Sequence, residues 1–127
     1  GGFLPVPGQT IYGAAKAAVK LFTEGLHSEL TNTNVHVTVV FPGAIGTNIA
    51  ANSGVGDSLK LDAEAMKRAP KTLPPAQAAQ IIVEAMERNR YRVLVGSDAR
   101  MMDMLYRFSP QRAAALIFNQ MRSLLPG

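Results

Sequence analysis

Tyr12 and Lys16 stand four positions apart in the segment TIYGAAKAAV, residues 10–19. On a helix that spacing puts two side chains on one face, so a phenol and an ammonium come within reach of each other. A tyrosine with a reference pKa of about 10 is a poor base near neutrality. A cation fixed beside it favours the phenolate. At roughly 4 Å and an effective dielectric near 20 the attraction is on the order of 4 kcal/mol, enough for a shift of up to about three pKa units. The pair is suited to moving a proton, provided the fold presents it to a substrate. Otherwise it is a solvated helix edge.

The elements that must do the positioning follow from periodicity. Ile11, Ala15, Ala18, Val19, Phe22, Leu26 and Leu30 recur at helical spacing between Thr10 and Leu30. They predict one amphipathic helix with that stripe inward and Tyr12, Lys16, Lys20 and His27 on a neighbouring edge. Its alanines are small enough to let another helix approach closely. Asn32-Thr33-Asn34 is turn chemistry. The run VHVTVVF, residues 35–41, predicts a strand with Val35, Val37, Val39 and Phe41 on one face and His36, Thr38 and Val40 on the other. Mostly apolar on both faces, it suits a parallel sheet covered on both sides. Pro42-Gly43 ends it, since proline cannot continue a strand interior.

Residues 44–72 have no clear period beyond one short helix expected within LKLDAEAMKRAPKT. A long irregular segment after a strand points to function. Pro74-Pro75 open a helix striped with Ala78, Ile81, Ile82, Ala85 and Met86. YRVLVG, residues 91–96, is a short strand closed by glycine. DARMMDMLYRF continues as a helix that gathers Met101, Met104, Leu105 and Phe108, expected to pack in the core. Ser109-Pro110 supplies an N-cap and a first-turn proline for a last helix with Ala114, Ile117, Phe118, Met121 and Leu125 on one side. Two strands joined through a crossover helix make part of an α/β layered fold. Alone they would leave both sheet edges open and most apolar area uncovered. The pattern fits the second half of a doubly wound parallel sheet.

Composition narrows the function classes. The chain has 127 residues, 47% of them hydrophobic and 17% charged, the profile of one globular domain. Without cysteine, disulfides and thiolate metal sites are excluded. The net charge of +4 is spread over scattered arginines and lysines with acids between them, which argues against a nucleic-acid surface. His27 and His36 have no second ligand at metal spacing, so no metal site is expected. Asp57, Asp62, Asp98 and Asp103 form no evident pair, so carboxylate-dyad hydrolysis has no support. No run of about 18 apolar residues and no signal-peptide pattern occurs, so neither a spanning helix nor secretion is expected. A cytoplasmic location is the resulting expectation.

YGAAK at 12–16 with the following AAVKLFTEGLHSEL, and then VHVTVVFPGAIGT, together resemble the carboxyl-terminal half of a short-chain dehydrogenase/reductase with its Rossmann-like sheet. The helix–turn–strand setting makes that combination far more specific than the Tyr-x-x-x-Lys spacing alone. The resemblance implies an NAD- or NADP-dependent interconversion of alcohol and ketone by hydride transfer. It makes Tyr12 the acid/base and Lys16 its electrostatic support and a ligand of the nicotinamide ribose. Pro42 and Gly43 would bring backbone against the nicotinamide, Gly43 leaving room for that approach. Ile45 and Thr47 would contact the carboxamide. Residues 47–72 become a lid over a small alcohol or carbonyl substrate, 97–127 the terminal helices, and a homodimer or homotetramer the assembly.

Missing from these residues are the family's glycine-rich phosphate loop, the residue selecting NAD or NADP, and the serine expected about a dozen positions before the tyrosine. GVG at 54–56 lacks the flanking strand and helix of such a loop. The expectation is therefore a fragment of one Rossmann-like domain spanning 1–127, inactive by itself. The alternative is a catalytically inactive helical interaction module, its basic, Met-rich terminal helices binding a partner or a membrane surface.

Overall fold

The computed structural model describes residues 3–46 and 72–122. Its elements run α1 (Thr10–Glu29), β1 (Val39–Pro42), α2 (Pro75–Glu87), β2 (Arg92–Val95), α3 (Ser97–Phe108) and α4 (Pro110–Met121). The two strands pair in parallel, Val39 opposite Arg92 through Pro42 opposite Val95. The chain is thus an α/β fold with a small parallel sheet. None of the described helices is long and apolar enough to cross a membrane.

Local chemistry accounts for the boundaries. Alanine-rich sequence favours α1, and a turn at Gly8 (φ 77°), closed by Gln9 N–H donating to Val6 O at 3.1 Å, leads into it. At its end the hydroxyls of Thr31 and Thr33 donate to the carbonyls of His27 and Leu30 at 3.1 and 2.8 Å. Helix α2 stops in a Schellman arrangement: Asn89 takes φ 51°, Arg90 N–H reaches Ala85 O at 2.9 Å and Asn89 N–H reaches Met86 O at 3.0 Å. Ser109 caps α4 by accepting from Arg112 N–H at 3.4 Å, with Pro110 in the first turn. Ser109→Ala should cost about 0.5–1 kcal/mol, the low end for a lost cap because that bond is long, read as a lower urea midpoint with an unchanged slope.

The core is small and gathers around the sheet: Val39, Phe41, Ala78, Ala85, Val95, Ala99, Ala113 and Ile117 are buried. Asp103 is buried with them, 8% exposed. Its carboxylate takes both terminal nitrogens of Arg92, at 2.6 and 3.3 Å, and Arg107 Nε at 3.0 Å. The Arg92 guanidinium also lies over the Phe41 ring, 4.6 Å from its centroid, while Phe3 meets Phe41 edge-on at 5.2 Å.

Three sequence expectations are corrected. The strand expected over 35–41 is limited to Val39–Pro42, and Val35 is exposed. Its partner β2 is four residues long, so residues 35–38 have nothing on it to pair with. On α3, Met101, Met104 and Phe108 are exposed and Ala99 and Asp103 turn inward instead. The ion pair from Asp103 to Arg92 of β2 sets that rotation. On α1 no residue is fully buried, and Ile11, Val19 and Phe22 of the predicted packing stripe are open to solvent. A two-stranded sheet offers too little surface to cover a helix of 20 residues. The expected helix within 59–72 lies outside the described residues except for Thr72, and Leu125 lies outside them as well.

Candidate functional site

Parallel pairing puts the carboxyl ends of β1 and β2 side by side, the edge at which open α/β sheets receive ligands. At that edge the chain leaves β1 through Pro42 and Gly43 and turns over residues 43–46. Three anchors hold this bend. Gly43 N–H donates to Val95 O at 2.8 Å, extending the ladder one step past the strands. Ala44 N–H donates to Asp98 Oδ2 at 2.6 Å. Ile45 bridges Leu73, with Leu73 N–H on Ala44 O at 2.9 Å and Gly46 N–H on Leu73 O at 3.1 Å.

Helix α1 passes alongside. Tyr12, Lys16, Val19, Lys20 and Thr23 face β1, and with Gln9, Phe3 and residues Thr38–Gly43 they enclose a cavity of about 690 Å³. The wall α1 contributes is therefore mainly its polar edge, joined by Val19 from the apolar stripe that periodicity assigned to packing. Tyr12 is 54% exposed. Lys16 Nζ stands over its ring, 5.5 Å from the centroid, within cation–π range. The ammonium thus meets the ring face rather than the hydroxyl. Of the two lysines on this wall, Lys20 is occupied by Glu24 at 2.7 Å, whereas Lys16 makes no ion pair among the described residues.

Of the residues singled out from sequence, Tyr12, Lys16, Pro42 and Gly43 border this one cavity. Ile45 lies just beyond it in the bend, half-buried, and Thr47 lies outside the described residues. At Gly43 a Cβ would fall on the Asp98 carboxylate, so the fold itself calls for glycine there. Nothing in a linear pattern links Asp98 to Ala44, 54 positions away. The one legible signal was an acid just after a strand-ending glycine, at the start of a helix. His27 packs edge-on against Tyr91 at 4.6 Å, and no group of three metal-ligating side chains occurs among the described residues.

Comparison with known proteins agrees with the motif. Residues 1–57 match the family model for short chain dehydrogenase. A Mycobacterium tuberculosis protein named as an oxidoreductase, SadH, is 40% identical over 110 residues, which cover 84% of this chain and 40% of that protein. A Sinorhizobium fredii protein named as a short-chain type dehydrogenase/reductase is 34% identical over 91 residues, 68% of this chain and 34% of its own. An uncharacterized oxidoreductase of Staphylococcus aureus is 46% identical over 61 residues, 48% of this chain and 26% of its own. This chain thus spans two fifths or less of the length of these relatives. No solved structure matches. The Tyr-x-x-x-Lys helix, the Pro-Gly bend beside it and these relatives together mean that the chain belongs to the short-chain dehydrogenase/reductase family.

Proposed function

We propose that this chain is the carboxyl-terminal part of a doubly wound domain and carries the proton-transfer end of an NAD- or NADP-dependent alcohol–carbonyl oxidoreductase. One observation carries the reading: a phenol, an ammonium and a backbone bend, 30 residues apart from Tyr12 to Pro42, border one cavity. Its volume of about 690 Å³ and its mixture of polar and apolar walls suit the nicotinamide riboside end of a dinucleotide plus a small substrate.

A bound nicotinamide supplies or accepts the hydride. The protein's residues handle the proton. In reduction Tyr12 Oη donates to the oxygen on which negative charge develops; in oxidation it takes the proton back. Lys16 holds its positive charge over the Tyr12 ring and donates to a ribose hydroxyl. Pro42 and Gly43 bring the bend against the ring, with Ile45 and Thr47 toward its carboxamide. Residues 47–72 act as the substrate lid. The exposed apolar side of α1, with Ile11, Leu21 and Phe22, is covered by the rest of a family-length protein or by a second copy, giving a homodimer or homotetramer.

Lysine replacement tests the reading. In the family-length protein containing this chain, NADH and NADPH are titrated by nucleotide fluorescence. Lys16→Met should weaken binding of the preferred nucleotide about 10- to 100-fold, the worth of a hydrogen bond to a charged group. Unchanged affinity would remove Lys16 from the cofactor site. An unmutated protein that binds neither nucleotide would instead favour the inactive interaction module.

A further inference from the structure

Of the three anchors on the 43–46 bend, two are backbone-to-backbone bonds that any sequence could make. The third is a side chain. Asp98 Oδ2 accepts from Ala44 N–H at 2.6 Å across 54 positions of sequence. The space around this carboxylate is cleared by glycine on both sides. A Cβ on Gly43 would overlap it, and a Cβ on Gly96 would stand 2.5 Å from Asp98 Oδ1. Gly96 also takes φ 106°, a conformation that L side chains rarely adopt. Asp98 sits in the first turn of α3, where negative charge is favoured by the helix dipole, and the glycine N-cap provides no side-chain cap of its own. Among the described residues Asp98 has no cationic partner to compete for it.

We infer that Asp98 is the positioning residue of the bend: it fixes the Ala44 backbone, and through it the surface that the nicotinamide ring rests on. This rests on the cofactor reading above. Removing the carboxylate leaves Ala44 N–H without its acceptor and opens space behind Gly43. The bend then gains freedom at the point where ring placement is decided, while whatever holds the adenosine half of the cofactor is untouched. Asp98 therefore acts on one half of the dinucleotide.

Two probes separate that role from a general structural one. In the family-length protein, NAD(P)H is compared with ADP-ribose (or its 2′-phosphate when NADPH is preferred), which lacks nicotinamide. Asp98→Ala should weaken NAD(P)H binding about tenfold and change ADP-ribose binding less than about twofold. Asp98→Asn, whose amide oxygen still accepts from Ala44 N–H, should bind NAD(P)H within about threefold of the unmutated protein. Equal weakening of both probes, unchanged NAD(P)H affinity in the alanine variant, or an asparagine variant as impaired as alanine overturns the inference. Should the alanine variant fail to fold, the asparagine variant decides by the same threshold. An unmutated protein that binds no nicotinamide nucleotide overturns the cofactor reading itself, a result obtained before any variant is compared.

Discussion

In the family-length protein, Tyr12→Phe should lower turnover by about 10²–10⁴-fold, the usual worth of a positioned acid/base, and leave nucleotide affinity within about twofold. The substitution removes one oxygen and little else. The ring that Lys16 covers at 5.5 Å remains, so the cation keeps its place. Tyr12 is not part of the core, being 54% exposed, so folding stability should hardly change. Consumption of NAD(P)H with a carbonyl substrate measures the first effect, and nucleotide fluorescence measures the second. Near-normal turnover in the phenylalanine protein would refute the acid/base role. A parallel loss of nucleotide affinity would show instead that the hydroxyl serves binding.

The largest effect on stability is expected at Asp103→Ala. Arg92 is only 18% exposed at its side chain, and its two terminal nitrogens are held by Asp103 at 2.6 and 3.3 Å. Its Nε is already buried without a partner among the described residues. Deleting the carboxylate leaves a guanidinium pressed on Phe41 with no counter-charge, which costs about 3–5 kcal/mol for a buried pair. Domains of ordinary stability hold about 5–15 kcal/mol in all, so the variant should be close to unfolding. Arg107, 64% exposed, adds little to this, because water replaces its contact. Chemical denaturation gives the number. Replacing both partners, Arg92→Met with Asp103→Leu, should recover most of the loss, since no charge is then left stranded. A single-variant loss below about 1 kcal/mol would mean that Arg92 simply turns to solvent.

Periodicity and turn chemistry acting over a few residues were enough to locate several elements in the sequence. The helix expected from Thr10 to Leu30 is α1, Thr10–Glu29, and the proline-led helix after Pro74 is α2. The capped start at Ser109-Pro110 and the strand within 91–96 are equally local events. The spacing of Tyr12 and Lys16 belongs to the same class, because one helical turn by itself brings them together. Family membership followed from that pair with the Pro-Gly bend, and the comparisons bear it out.

Other features depended on residues far apart in the chain. Strand β1 is short because β2 is short, and no pattern within 35–41 carries the length of its partner. Met101, Met104 and Phe108 look like a core stripe, yet α3 is rotated by a buried ion pair to Arg92, 11 positions before Asp103. Gly43 faces a carboxylate from position 98, which no reading of residues 42–47 could supply. Local propensity places an element; which of its faces turns inward is decided by the partners it meets. That is why the Tyr12–Lys16 pair was legible in one dimension and the carboxylate that accepts from Ala44 N–H was not.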